Sequence, residues 1–297
     1  MIDPKRPLVL AGAALALGLA APAAAAAEGS GGAPAPEAAS PGTTSPEPVG
    51  APAPATAPGS QPAPASTPPG AGAPAPAPPG AAAAVAQRLS NETTFTTWAH
   101  PAQPQWIHAR PRASSRRLAR VHLETEEGFP EVYLLLASRT GLGAQTWIEL
   151  RIPGRPNGRV GWVRRSALGA FHVTHWAIVI NLGKRRLTAS YDARVRLVAP
   201  VGVGKPSTPT PPGRFWIRER FRIANRSNPY WPYAFGTSDY STLSEWPGGG
   251  VVGIHGPYGE PGKIPGDPSH GCIRMLDRGV AWLGAHITLG TPVHIVE

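Results

Sequence analysis

Residues 254–275 read "IHGPYGEPGKIPGDPSHGCIRM" and hold His255, His270 and Cys272, the only cysteine among 297 residues. A single thiol cannot close an intramolecular disulfide, so it serves as a buried small hydrophobe, a metal ligand or a nucleophile. Only the thiolate attacks well, and a free thiol titrates near roughly 8.5, so a nucleophile here needs a base. An imidazole within hydrogen-bond reach supplies one. Gly271 lets the main chain approach a substrate carbonyl closely, which makes the amides of Gly271 and Cys272 candidates for an oxyanion hole. Arg274 lies on the same side of an extended chain as Cys272, where it can pair with a substrate carboxylate. A metal site built from His255, His270, Cys272 and Asp267 is the competing reading, but one cysteine and no Cys-x-x-Cys make a structural zinc poor. A buried inert thiol leaves the neighbouring His, Gly and Arg unexplained. Thiol catalysis accounts for all of them.

The surrounding sequence is rich in Val, Ile, Thr and Trp, with Gly and Pro at short intervals, which predicts strands and turns. "HWAIVIN", an "LGK" turn and "RRLTASYD" predict a hairpin, and Arg214–Phe221 a further alternating strand. "VVGIH" (Val251–His255) reads as an apolar strand ending at a histidine, and "GTPVHIVE" as a closing strand. Val280, Leu283 and Ile287 fall at helical spacing behind Asp277, a candidate N-cap. The aromatic segment 225–250 precedes His255 and reads either as a wall of the site or as a loop packing its own rings.

His255-Gly256, the gap to Ser269, and the run Ser-His-Gly-Cys-Ile-Arg together resemble the L,D-transpeptidase (YkuD-type) catalytic domain. The resemblance covers about Phe171–Glu297, including "TPTPPGRFWI" and "GTPVHI". It implies a mainly β fold: a β-sandwich or mixed-β catalytic domain with one short helix. It implies Cys272 as nucleophile and His255 as general base, with Gly256 orienting His255 through its carbonyl. His270 and Ser269 would support the pocket, and Arg274 would anchor the donor carboxylate. Some members carry Ser or Asp after the first His, whereas Gly256 leaves only a main-chain partner. The implied substrates are peptidoglycan stem peptides, with carbapenem-type β-lactams as covalent inhibitors and neither cofactor nor metal.

A second resemblance lies upstream. Residues 94–168, through "TWIELRIPGRPNGRVGWVRRSAL" and its Gly161–Val163, resemble a bacterial SH3-like β-barrel, which implies a small binding or positioning module. Trp147 and Trp162 read as core residues or as a ligand groove. The remaining histidines (His100, His108, His122, His172, His175, His286 and His294) have no catalytic context and read as structural or surface groups.

Lys5 and Arg6, the apolar run Leu8–Ala21 and the Ala25–Ala27 end have the order of a secretory signal peptide, residues 1–27. The apolar run is shorter than the roughly 18–20 residues a membrane span needs. Residues 28–90 form a Pro/Ala/Gly-rich linker, in which Glu28, Glu37 and Glu47 are the only charges as far as Gln87. Such a segment buries too little apolar surface to offset its ordering entropy and is expected to act as an extended spacer. The reading is an exported protein of the periplasm, cell envelope or extracellular wall. The net charge of +10 suits an anionic envelope partner, and no nucleic-acid motif appears.

Overall fold

Short alternating segments punctuated by Gly and Pro pair into two β-sheets in the computed structural model, which describes residues 86–140, 144–245 and 247–297. The expected signal peptide, 1–27, and most of the linker, 28–90, lie outside the described residues. Among those described, no helix is long and apolar enough to cross a membrane.

The first sheet contains β1 (Ala86–Arg88), β2 (Thr96–Pro101), β3 (Trp106–His108), β4 (Arg117–Arg120), β5 (Tyr133–Thr140), β6 (Thr146–Arg151), β7 (Val160–Arg164) and β8 (Leu168–Thr174). Its order is β4-β3-β7-β6-β5-β2-β8, with β1 also on β5. Ile107, Leu135, Ile148, Leu150 and Val163 point inward as the core of this sheet. Trp147 is buried at 3% exposure, so it does not line an open groove.

Both edges of this sheet differ from the expected span of 94–168. β1 begins inside the stretch assigned to the linker, and Phe171–Thr174 pair with Thr96–Ala99 of β2. Residues 171–174, expected to open the catalytic domain, therefore belong to the first sheet. The run "LGAFHVTHWAIVIN" has no turn between its halves. Its boundary is set by the neighbour each half finds, not by local propensity.

The second sheet contains β9 (Trp176–Asn181), β10 (Arg186–Tyr191), β11 (Arg194–Gly204), β12 (Gly213–Arg222), β13 (Tyr233–Tyr240), β14 (Val251–His255), β15 (Gly266–Ser269), β16 (Ile273–Met275) and β17 (Pro292–Val296). The order is β10-β9-β17-β12-β13-β14-β16-β11-β15, and a β10–β11 pairing closes the ring. β9 with β17, β14 with β16 and β11 with β15 are parallel, so the sheet is mixed. Phe215, Phe235, Ile254 and Ile273 fill its interior.

The one α-helix among the described residues, α1 (Asp277–His286), presses Val280 and Leu283 onto that core. Asp277 was expected as N-cap. Leu276 occupies that place with an extended φ/ψ, and Asp277 lies in the first turn, where its charge still complements the helix dipole. Gly284 is required by close packing, because a Cβ there would lie 2.3 Å from the Tyr233 ring.

The two sheets belong to one compact unit. Val132, Leu134 and Trp216 form a shared apolar cluster, and Trp216 Nε1 donates to Val132 O at 2.7 Å. Beside it, buried Arg218 of β12 forks onto buried Glu131, with its Nε 2.8 Å from Oε1.

Candidate active site

Parallel pairing of β14 with β16 sets Ile254 opposite Ile273 and His255 opposite Arg274. That register brings together the two halves of a motif separated in sequence by the Pro/Gly-rich loop 256–268. Cys272 ends the turn leading into β16, where Gly271 has φ +129°, a conformation L side chains rarely adopt. Ser269 Oγ donates to Cys272 O at 2.6 Å and accepts from Gly271 N–H at 3.1 Å. Thr210 Oγ1 donates to Gly271 O at 2.6 Å. These hydroxyls lock the turn from both sides.

The Gly271 amide, read as an oxyanion donor, is taken by Ser269 Oγ. The Cys272 amide is left as the candidate of that pair.

Gly253 lies beside both the His255 and the Cys272 side chains. A Cβ at Gly253 would lie 3.9 Å from His255 Cδ2 and 4.0 Å from Cys272 Sγ. A side chain there would be in van der Waals contact with both groups, and Gly253 N–H donates to Sγ at 3.4 Å. Burial raises the thiol pKa, opposed by that N–H and by the Arg274 charge.

His255 is 2% exposed and its Nδ1 lies 2.8 Å from Gly256 O. A carbonyl only accepts, so Nδ1 carries the proton and Nε2 keeps a lone pair for proton transfer. Burial pushes the His255 pKa down to about 3, with Gly256 O opposing and Arg274 adding to the drop. Both shifts favour the neutral forms of thiol and imidazole. Gly256 is needed for a steric reason as well: a Cβ there would lie 1.8 Å from Trp231 O. The aromatic segment does wall the site. Tyr230 meets the His255 ring edge-on at 4.6 Å, and Tyr258 lies 5.3 Å from Tyr230.

The cleft around these groups encloses about 430 Å³ and includes His255, Cys272, Arg274, Ser269 and His270 in its lining. His270 Nε2 lies 3.1 Å from Lys205 Nζ, and burial, Lys205 and Arg274 all lower its pKa. Arg274 is not an open anchor. Its Nη1 donates to Glu260 Oε2 at 2.6 Å and its guanidinium lies 4.6 Å from the centre of the Tyr258 ring. Asp267, weighed as a metal ligand, instead accepts from Arg185 Nη2 at 2.8 Å.

Sequence reasoning missed Gly253, Tyr258 and Glu260, and held Tyr230 only as part of the aromatic segment 225–250. Glu260 carried a signal, as the sole acid in an otherwise Gly/Pro-rich loop before Asp267. Gly253 carried none, because its use depends on what flanks it.

Residues 175–295 match the family model of the L,D-transpeptidase catalytic domain, YkuD. The chain is similar to YkuD of Bacillus subtilis (strain 168), at 35% identity over 118 residues, covering 40% of this chain and 64% of that one. It is 28% identical over 130 residues to L,D-transpeptidase 1 of Mycobacterium tuberculosis, covering 40% and 49%. Among solved structures, the catalytic domain of an Enterococcus faecium L,D-transpeptidase is 25% identical, covering 40% and 95%, with a TM-score of 0.30. The chain thus spans about two thirds or less of the curated relatives it matches.

Proposed function

With residues 175–295 matching an L,D-transpeptidase catalytic domain as premise, we propose that this protein is a peptidoglycan L,D-transpeptidase. The observation that carries the reading is the His255–Gly253–Cys272 arrangement. An imidazole whose Nδ1 is held by Gly256 O and the lone thiol line one cleft, both within 4 Å of where a Cβ on Gly253 would stand.

His255 Nε2 takes the thiol proton and Cys272 Sγ attacks the carbonyl of the third, diamino-acid residue of a tetrapeptide stem. The Cys272 N–H stabilises the developing oxyanion, a contribution of about 3 kcal/mol in comparable sites. The C–N bond to the terminal D-Ala breaks, and His255 returns its proton to the leaving amine. The side-chain amine of a second stem then attacks the thioester and restores the thiol, leaving the two stems joined.

The support for a covalent route over a metal-assisted one is the donor chemistry: the thiol lies beside a neutral base and Asp267 is paired elsewhere. Export to the envelope is part of the proposal and rests on the order of segments in residues 1–27. There the first sheet is read as a binding or positioning module.

The test is intact mass after incubation with a carbapenem, whose strained carbonyl acylates a thiolate. An adduct mapped to Cys272 is expected, and its absence in the wild type sinks the enzyme reading. Purified tetrapeptide stems then decide the acceptor. A joined dimer supports the transferase, whereas tripeptide alone means water is the acceptor and the protein is an L,D-carboxypeptidase. Transfer to an envelope protein only would make it a wall-anchoring ligase.

A further inference from the structure

The β6–β7 turn of the first sheet reaches the wall of the Cys272 cleft. At its tip, exposed Arg155 directs a donor from each of its three guanidinium nitrogens to main-chain carbonyls of the β13–β14 connection. Nε and Nη2 donate to Ser241 O at 3.1 and 2.7 Å, and Nη1 donates to Gly249 O at 2.9 Å. Two residues on, Asn157 Nδ2 donates to Asp239 Oδ1 at 2.7 Å and Tyr240 O at 3.0 Å, and its Oδ1 accepts from Tyr240 N–H at 3.2 Å. These two side chains grip both ends of the β13–β14 connection, whose neck is closed by Ser241 N–H to Gly250 O at 2.9 Å.

The gripped residues are the cleft wall. Ser241, Gly250, Val251 and Val252 all line the space that holds Cys272. Ser241 also abuts the nucleophile turn, its Cβ lying 3.3 Å from where a Cβ on Gly271 would stand. Gly250 has φ +76°, and a Cβ there would come within 2.7 Å of Arg155 Nη2, so main chain and guanidinium meet without room for a side chain. Asp239 is fully buried, its Oδ2 lacks a partner, and Asn157 supplies the side-chain hydrogen bond to the other oxygen. Half-buried Asn157 thereby ties the end of β13 to the β6–β7 turn through three hydrogen bonds.

We propose that Arg155 and Asn157 are positioning residues for the reaction: the first sheet sets the cleft wall against which the substrate is held over Cys272. This rests on Cys272 being the nucleophile and gives the first sheet a part in the site that no local motif assigns.

The experiment compares full-length wild type, Arg155→Ala, Asn157→Ala and Arg155→Lys. Each is measured for acylation by a carbapenem, resolved into half-saturation and limiting rate, for alkylation by iodoacetamide, and for thermal melting. Trp216→Phe, which loses a hydrogen bond between the same sheets away from the wall, is the adhesion control. The alanine variants are expected to lose about tenfold or more in carbapenem acylation through misplacement of the wall. Their iodoacetamide rates stay within about twofold, because that small probe needs the thiol and not the wall. Arg155→Lys, with one donor group instead of a fork, falls between and keeps the test open should an alanine variant fold poorly. Trp216→Phe lowers melting and leaves acylation of the folded protein unchanged. Carbapenem rates equal to wild type overturn the inference, as do carbapenem and iodoacetamide rates that fall in parallel. A wild type that carbapenem does not acylate overturns the functional reading instead, so the two failures are separable.

Discussion

Arg274 holds Glu260 by a 2.6 Å hydrogen bond within the cleft that contains Cys272. The cation that a substrate carboxylate would seek is already paired with a carboxylate of the chain. Arg274 is 8% exposed and Glu260 36%, so the acid is the accessible and displaceable member.

On the proposed function, a donor carboxylate is expected to compete with Glu260 for Arg274. Glu260→Gln is expected to lower KM for a stem-peptide donor by roughly fivefold with little change in kcat, the scale of a partly exposed ion pair. Arg274→Ala is expected to raise KM. Steady-state kinetics on both variants checks this, and a raised KM in Glu260→Gln would show that Glu260 itself contacts the donor.

His255 gives a pH signature in the resting protein. Its pKa falls from 6.5 to about 3, so the base form persists through pH 7 to 5. Carbapenem acylation should therefore show no histidine inflection near pH 6.5, while the raised Cys272 thiol pKa makes iodoacetamide alkylation climb with pH beyond the ordinary thiol range. An inflection near 6.5 that vanishes in His255→Gln would contradict the buried neutral imidazole.

The same depression links His255 to stability. Between pH 6.5 and about 3 the unfolded chain binds a proton at this position that the folded chain refuses. The contribution is intact above pH 6.5 and is lost as pH falls through that window, by about 1.4 kcal/mol per pH unit. Urea titrations at pH 7 and pH 5.5 should show wild type losing more stability than His255→Gln. Equal losses would refute the linkage.

Gly256→Ala tests the main-chain hold on His255. The new Cβ would fall 1.8 Å from Trp231 O, so Gly256 must shift, and with it the carbonyl that fixes His255 Nδ1. Acylation should drop by about 100-fold, as for ångström-scale misplacement of a reacting group. Thermal melting verifies that the variant remains folded, and iodoacetamide labelling that Cys272 remains accessible.

The Arg218–Glu131 pair joins the sheets by two buried charges. Removing one partner leaves the other desolvated, so Glu131→Ala should cost about 3 kcal/mol or more in urea unfolding. Glu126, 3.1 Å from Arg218 Nη2, offsets part of the loss, which makes Glu126→Ala/Glu131→Ala the more severe change.

What the sequence determined by itself is the local chemistry. A lone cysteine after Ser-His-Gly, a histidine ending an apolar strand, alternation in β9 and β10, and the 3–4 spacing of α1 are short-range facts of residue type and backbone period. They named Cys272 and His255 as candidates, and Ser269 as a support of the pocket, which the fold places against the Cys272 turn. The tertiary structure decided the partners. Glu260 reaches Arg274, Ser269 claims the Gly271 amide, Phe171–Thr174 join the first sheet, and Arg155 and Asn157 cross to the cleft wall. Each of these depends on which strands and loops become neighbours, a choice made by burial of the whole core. Spacing along the chain carries no trace of it.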